Sequence, residues 1–288
     1  GSGKTEAFLV PILNHLFLEE DDGRLAAGVR ALLLYPMNAL ANDQMARLRE
    51  LLKNYPGITF GRYTGETESE DAKAIEKYRK MYYREPYPNE LISRGQMRDR
   101  PPHILLTNYA MLEYLLLRPD DHVFFDGQHA GRWRFLVIDE AHVYTGAKGI
   151  EMAMLLRRLK DRVVKGKAEG LQCIVTSATL ATGEEGFPEV ARFARQLVGE
   201  QVEWIQDDPN RQDVVKAIRM PMAELGQSEW KPEPALYPRW QEIVEGAPGR
   251  QCISSLVAEG RASAIPESVL RVAVEVAGGD CRAFLYEM

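Results

Sequence analysis

The segment Arg134 to His142, with the sequence RFLVIDEAH, constrains the fold more than any other stretch of the chain. Its apolar part, Phe135 to Ile138, is typical of a short strand that is covered on both faces of a parallel sheet. Asp139 and Glu140 follow directly, so they would lie at the carboxyl end of that strand, where open α/β sheets bind ligands. Placing two uncompensated carboxylates beside a buried strand costs free energy. We therefore expect this pair to bind a cation or to take up a proton.

The chain opens with a glycine-rich run that has the composition of a P-loop. Its members are Gly1, Ser2, Gly3, Lys4 and Thr5. A P-loop cradles the phosphates of ATP with backbone N–H groups, while its lysine reaches the β and γ phosphates and its hydroxyl binds Mg²⁺. We therefore predict an ATP site in which Thr5 and Asp139 hold the magnesium. Glu140 would orient and deprotonate the attacking water.

Each of these two runs has a simpler interpretation when it is taken alone. A Gly-Ser-Gly start can be a flexible leader, and an Asp-Glu pair after a strand is often a solvated turn or a helix cap. Together the two runs favour nucleotide binding, because GSGKT precedes a helical pattern of apolar residues and DEAH ends a buried strand.

Three runs of the sequence resemble motifs of superfamily 2 helicases. GSGKTEAFLVPIL resembles motif I, VIDEAH resembles the DEAH form of motif II, and SATL from Ser177 to Leu180 resembles motif III. The resemblance spans residues 1–199 and implies a RecA-like P-loop domain of the α/β class, with a mostly parallel sheet between helices. It also implies that the protein uses ATP and Mg²⁺, with catalytic roles for Asp139 and Glu140.

The motif III resemblance implies that hydroxyl groups pass the state of the γ-phosphate to a nucleic-acid surface. Ser177 and Thr179 would do so through hydrogen bonds to His142 and to the motif II carboxylates. The alternative is that Ser-Ala-Thr only caps the start of a helix, and the residues leave both interpretations open.

Three further turns resemble elements with which these helicases contact the sugar-phosphate backbone. YPMNALANDQ resembles motif Ia, the Thr-Gly-Glu run resembles motif Ib, and the Thr-Asn pair resembles the TN element. The nucleic-acid contacts that this implies are Pro36, Asn38, Ala39, Thr64, Gly65, Thr107 and Asn108. Taken alone, the first turn reads as a strand-to-helix turn capped by Asn38, and a single Thr-Gly-Glu run is weak evidence.

A charged segment from Glu66 to Pro102 separates the second of these turns from the third. Its tyrosines and arginines could form an element that grips a nucleic-acid strand. The alternative, which we favour, is a solvated helix pair with tyrosines packed underneath.

The motifs also predict the domain organisation. A complete P-loop reads G-x-x-x-x-G-K-[ST], so we expect its first glycine, and the strand before it, to precede residue 1. Residues 1–207 would then be an N-terminally truncated RecA-like domain. Prolines punctuate the chain beyond Asp207, and we expect residues 208–288 to be a linker or accessory segment that leads to a missing second RecA-like domain.

The overall composition limits the possible partners. A formal net charge of −6 argues against a broadly basic nucleic-acid coat, although a local groove can still be positive. No apolar run approaches the roughly 18 residues that a membrane-spanning helix needs. We therefore expect a cytoplasmic protein without a membrane partner.

The residues around the DEAH run indicate which group of superfamily 2 helicases the sequence resembles. DEAH followed by VYTGAKG and LLRRL, together with YPMNALANDQ and TNYAMLEYLLLRP, resembles the bacterial YprA or mitomycin-repair-factor-like helicases and related phage-defence helicases. This implies ATP-dependent movement along DNA from 3′ to 5′, in DNA repair or in phage defence. An ATP-dependent RNA helicase and a nucleotide-gated clamp or scaffold without significant turnover stay open. We expect the isolated chain to be inactive, because a second RecA-like domain completes the ATP cleft.

Overall fold

The computed structural model describes residues 4–129, 131–165, 170–177, 183–215, 236–246, 250–263, 265, 270 and 274. The chain divides into two compact units, residues 1–217 and residues 218–288. The predicted division after residue 207 stays a prediction.

The first unit alternates helices and strands along the chain. Its helices are α1 (Lys4–Asp21), α2 (Asn38–Leu52), α3 (Asp71–Tyr82), α4 (Arg94–Asp99), α5 (Tyr109–Leu117), α6 (Gly146–Val164) and α7 (Phe187–Val198). Its strands are β1 (Ala31–Tyr35), β2 (Phe60–Arg62), β3 (Glu90–Leu91), β4 (Ile104–Asn108), β5 (Phe135–Ile138) and β6 (Gln172–Val175).

These strands form one parallel sheet in the order β3-β2-β4-β1-β5-β6. The strand that carries the predicted Asp-Glu pair, β5, lies between β1 and β6, with Ile138 opposite Leu34 and Val175. The predicted α/β fold with a mostly parallel sheet is therefore confirmed. The sheet also aligns the carboxyl ends of these strands along one edge, where the predicted site residues follow.

Side chains of the central strands point alternately into two helical layers. On one face, α1 and α2 pack on Leu33 of β1 and Val137 of β5. On the other face, α5, α6 and α7 pack in a cluster with Leu32 and Leu136 of the same strands. Because both faces are covered, β1 and β5 are continuous apolar runs instead of alternating ones.

The burial of β6 differs from that of its neighbour. All four residues of β5 are buried, whereas Gln172 of β6 is exposed and the rest of that strand is only partly buried. Within the described residues, β6 pairs with β5 alone and so lies at an edge of the sheet. Its partial exposure follows from that position.

The charged segment between β2 and β4 folds into α3, β3 and α4. Tyr78 is buried, and its hydroxyl donates to Glu90 Oε2 at 2.9 Å. Arg49 of α2 binds the same carboxylate through a bidentate ion pair whose shortest distance is 2.7 Å. Tyr83, in contrast, is 92% exposed. The segment is therefore a helix pair with a tyrosine packed underneath, which is the interpretation that the sequence favoured.

The second unit contains α8 (Leu236–Gly246) and α9 (Arg250–Ala262) within its described residues. Trp240 and Leu256 are buried, and Arg239 Nη1 donates to Glu259 Oε1 at 3.3 Å. In neither unit is a described helix both long and apolar enough to cross a bilayer.

Candidate nucleotide site and nucleic-acid interface

Asp139 lies at the carboxyl end of β5 and is fixed there by three hydrogen bonds. Its backbone N–H donates to Leu34 O at 3.0 Å, which aligns it with the end of β1. Its Oδ1 accepts from the Thr176 hydroxyl and, at 3.1 Å, from the Glu140 N–H. The residue is only 9% exposed. Among the described residues both side-chain bonds use Oδ1, so Oδ2 is the oxygen available to a cation or its hydration water.

Glu140 adopts a left-handed backbone conformation, with a φ of 51° and a ψ of 46°. This conformation is uncommon for a residue other than glycine and often accompanies a required side-chain orientation at a functional site. It turns the chain into the short 3₁₀ helix Ala141–Val143 and places Glu140 Oε2 3.2 Å from His142 Nδ1. The same nitrogen lies 3.4 Å from Ser177 Oγ. Glu140, His142 and Ser177 are thus in contact, as predicted. Thr179, which was predicted to join them, lies outside the described residues.

The P-loop-like run leads directly into α1, which begins at Lys4. The predicted phosphate-binding residues Gly1, Ser2 and Gly3 lie outside the described residues. The Thr5 hydroxyl accepts a hydrogen bond from Gln44 Nε2 at 3.2 Å, so α2 orients the predicted magnesium ligand. From Phe8 onward, α1 packs in the same hydrophobic cluster as Val137 of β5, the strand that ends in the carboxylate pair.

Several buried polar atoms in this region have no hydrogen-bond partner among the described residues. They include the Tyr35 hydroxyl, at the end of β1, Oε1 of Gln44 and Oε2 of Glu140. Burial, together with the charge of Asp139, raises the pKa of Tyr35, so its hydroxyl stays protonated and able to donate. Leaving such atoms unpaired is costly, and a bound nucleotide with its hydration water would supply partners.

The available oxygen ligands fit magnesium. No group of three or more His, Cys, Asp or Glu side chains within the described ranges could hold a metal ion. Magnesium does not need such a group, because it keeps several waters and binds through one or two carboxylates and the substrate phosphates. The hydroxyl of Thr5 and Oδ2 of Asp139 are the predicted oxygens that suit such a partial set of protein ligands.

The turns that follow β4, β1 and β2 are joined by a chain of side-chain hydrogen bonds. Asn108 caps α5 by accepting the Met111 N–H at 2.8 Å, and its Nδ2 donates to Asn38 Oδ1 at 2.8 Å. Asn38 Nδ2 donates in turn to Glu66 Oε1 at 3.0 Å. Because these strands are neighbours in the sheet, the three turns form one continuous surface, the three-turn surface.

A family model described as DEAD/DEAH box helicase matches residues 1–185. The chain belongs to the DEAD/DEAH box helicase family. The predicted superfamily 2 resemblance is therefore confirmed, and the sheet described above is that of its RecA-like domain.

Relatives of this helicase domain lie in the groups that the motifs indicated. Druantia protein DruE of Escherichia coli (strain UMEA 4076-1) is 32% identical over 69% of this chain and 15% of its own length. The uncharacterized ATP-dependent helicase YprA of Bacillus subtilis (strain 168) is 28% identical over 72% of this chain and 22% of its own. A crystal structure of the DUF1998 helicase MrfA matches with a TM-score of 0.50 and 27% identity, over 72% of this chain and 26% of that one. The chain thus covers between 15% and 26% of the length of these relatives.

Two of the predicted nucleic-acid contacts have side chains that are buried inside the helicase domain. The Thr107 hydroxyl donates to Tyr63 O at 2.7 Å, and the N–H of buried Thr64 donates to Thr67 Oγ1 at 2.9 Å. These two threonines support the turns from within. The predicted contacts that are partly or fully exposed are Pro36, Asn38, Ala39, Gly65 and Asn108.

Arg94 supports the turn that follows β2, and the sequence motifs did not indicate this role of the arginine. Its Nη2 donates to Thr64 O at 3.1 Å and to Gly65 O at 3.4 Å, while its guanidinium lies 5.3 Å from the Tyr63 ring centroid. The only local signal was the capping box of Ser93, in which a serine three residues before a glutamine starts α4. That pattern predicts a helix start but not the distant carbonyls that the arginine binds.

Proposed function

We propose that residues 1–207 form the ATP-binding domain of an ATP-dependent DNA helicase or translocase, which couples ATP hydrolysis to movement along DNA. The geometry after β5 carries this proposal, because Asp139 is fixed by hydroxyl and backbone donors while Glu140 is turned toward His142. One fixed carboxylate beside a separately oriented one suits metal binding and water activation, respectively.

Each residue of the nucleotide site has one role in the proposed hydrolysis. Lys4, with the backbone of residues 1–3, would bind the β and γ phosphates. Thr5 and Asp139 would hold Mg²⁺, which when bound neutralises charge on the phosphates. Glu140 would orient the attacking water and accept its proton.

His142 is proposed to couple ATP hydrolysis to movement along the strand. Its Nδ1 lies within reach of both Glu140 Oε2 and Ser177 Oγ, so it can exchange one partner for the other when the charge beside Glu140 changes. We propose that Ser177 and Thr179 use this exchange to pass the γ-phosphate state to the nucleic-acid surface.

The three-turn surface would bind the sugar-phosphate backbone of one DNA strand. Side-chain amides and backbone N–H groups bind phosphate without reading the base sequence, as a translocating enzyme requires. The proposed contacts are Pro36, Asn38, Ala39, Gly65 and Asn108, with Thr64 and Thr107 holding the turns. The resemblance to YprA-like and mitomycin-repair-factor-like helicases supports DNA as the strand and 3′ to 5′ as the direction.

The proposed setting is a cytoplasmic DNA-repair or phage-defence enzyme without a membrane partner. Residues 208–288 would lead to a second RecA-like domain whose arginines complete the ATP cleft. Such arginines contribute on the order of 10³ to 10⁵ in rate, so the isolated chain should hydrolyse ATP very slowly. Equal turnover by the isolated chain and the full-length protein would contradict this part of the proposal.

The test compares wild type with Glu140→Gln in the full-length protein, in the presence of single-stranded DNA or RNA of matched sequence. We expect DNA to stimulate hydrolysis, and the substitution to lower turnover by about 10² to 10⁴ while ATP still binds, because a general base contributes that much. Glu50→Gln, which changes an exposed glutamate of α2, is the matched control and should leave turnover unchanged.

The same experiment separates the two alternatives. Stimulation by RNA alone would favour an ATP-dependent RNA helicase. ATP binding with a slow turnover that neither nucleic acid changes would favour a nucleotide-gated clamp or scaffold.

A further inference from the structure

On the three-turn surface, the carboxylate of Glu66 accepts hydrogen bonds from two side chains that could otherwise bind a phosphate. Glu66 accepts from Asn38 Nδ2 at Oε1, at 3.0 Å, and from Arg62 Nη1 at Oε2, at 3.2 Å. Its side chain is 53% exposed. The carboxylate is therefore held by two donors, yet it faces solvent and can be exchanged for another anion.

Each of the two donors is held in position by a second hydrogen bond to a neighbouring side chain. Asn108 Nδ2 donates to Asn38 Oδ1 at 2.8 Å, which leaves the amide nitrogen of Asn38 pointing toward Glu66. Arg62 ends β2, is only 19% exposed along its side chain, and also donates to Asn42 Oδ1. Because neither donor can turn away freely, the space between them suits an anion with two adjacent oxygens.

Two cations lie beside this carboxylate, Arg62 and Lys77. Lys77 Nζ donates to Glu66 O at 2.8 Å and is also paired with Glu68 Oε1 at 2.8 Å. The hydrogen bond from Asn38, with the charges of Arg62 and Lys77, lowers the pKa of Glu66, so the side chain is ionised at neutral pH. The donors thus have the chemistry of a phosphate site that the chain neutralises internally.

We infer that Glu66 is an internal competitor, which a backbone phosphate must displace from Asn38 and Arg62 before a strand binds the three-turn surface. The inference rests on the proposed function, since it assumes that this surface receives a sugar-phosphate backbone. A phosphodiester offers two terminal oxygens and one negative charge, as a carboxylate does, so it can take over both donors. Arg62 then becomes a further phosphate contact, and Glu66 sets how tightly the strand is held.

The experiment measures the affinity of the full-length protein for a labelled single-stranded oligodeoxynucleotide by fluorescence anisotropy. An exposed ion pair is weak, so we expect Glu66→Gln to bind about threefold more tightly than wild type at low salt. Glu66→Ala, which also removes the acceptor, should bind at least as tightly as Glu66→Gln. The gain should shrink as salt is added, because screening weakens the competing pair.

The matched control is Glu76→Gln on α3. It removes one negative charge from an exposed ion pair with Lys80, which includes no donor of the three-turn surface, and should change the affinity much less. A second control repeats Glu66→Gln in an Arg62→Gln background. The gain should be smaller there, because Asn38 is then the one donor of the pair that the carboxylate still blocks.

Equal affinities of the Glu66→Gln and Glu76→Gln variants would overturn the inference. Weaker binding by both Glu66 variants would also overturn it, since the carboxylate would then help to position Asn38 instead of competing with phosphate. If all the proteins unfold cooperatively on heating but none binds the oligodeoxynucleotide, the proposed function itself fails, and the inference falls with it.

Discussion

The two ends of the sheet's carboxyl edge use their polar groups differently. At β5, Asp139 is nearly buried and fixed, while Tyr35 and Gln44 nearby keep buried polar atoms without partners among the described residues. At the three-turn surface, Asn38 and Glu66 already satisfy one another through hydrogen bonds. The proposed nucleotide end therefore has buried polar atoms that still lack partners, whereas a strand that binds the proposed nucleic-acid end would have to replace an existing partner. This contrast predicts tight, orientation-sensitive nucleotide binding and weaker, salt-sensitive strand binding.

The largest effect is expected at the buried ion pair under the nucleic-acid end. Glu90→Gln would leave Arg49 buried without its countercharge, which costs about 3 kcal/mol or more in free energy of unfolding. Burial alone would lower the pKa of Arg49, but the hydrogen bonds and charge of Glu90 raise it, so the guanidinium stays charged. Urea unfolding measures the loss.

The control for this prediction is the double variant Arg49→Met/Glu90→Met, which removes both charges together. Replacement of a whole buried pair by apolar residues is often neutral, so most of the stability should return. A Glu90→Gln variant as stable as wild type would show that the helix pair is not anchored through this contact.

The second prediction concerns the nucleotide end. Thr176→Val removes the hydroxyl that donates to Asp139 Oδ1. Residues that orient a metal ligand typically contribute 10- to 100-fold, so turnover should fall by about that factor and the Mg²⁺ requirement should rise. DNA affinity without nucleotide should not change. Thr59→Val, at a buried threonine before β2, is the matched control, and an equal loss of turnover in both variants would contradict a specific role for Thr176.

The third and smallest effect is expected at the support of the second turn. Arg94→Ala removes the hydrogen bonds to Thr64 O and Gly65 O. Hydrogen bonds from a charged group contribute modestly, so DNA affinity should fall by about tenfold. ATP affinity without DNA should stay the same. Arg84→Ala, which removes an exposed arginine beside Tyr87, is the control, and unchanged DNA affinity in the Arg94 variant would mean that the turn needs no such support.

The central strands were predictable from the sequence. Phe135 to Ile138 is a continuous apolar run, and the structure gives β5 those bounds because the strand is covered on both faces. The residues after such a strand follow at the carboxyl edge, so the positions of Asp139 and Glu140 were predictable as well. The segment Ile58 to Tyr63 was likewise predicted as a strand and contains β2, whereas β3 has only two residues, too few for a pattern.

The side-chain partners at both ends were not predictable in this way. Thr176 meets Asp139 because β6 pairs with β5 in one register, and Asn38 meets Asn108 because β4 pairs with β1. Local periodicity does not specify which strands become neighbours or in what register. The left-handed conformation of Glu140 also follows from its surroundings, since glutamate itself does not favour it.

The most direct test of the account is the linkage between the two ends. DNA affinity of the full-length protein would be measured with and without a saturating non-hydrolysable ATP analogue and Mg²⁺. If nucleotide and strand bind to one coupled edge, the affinity should change by about fivefold or more, and His142→Ala should reduce that change. Identical DNA affinities with and without the analogue, in a protein that binds both, would contradict the account.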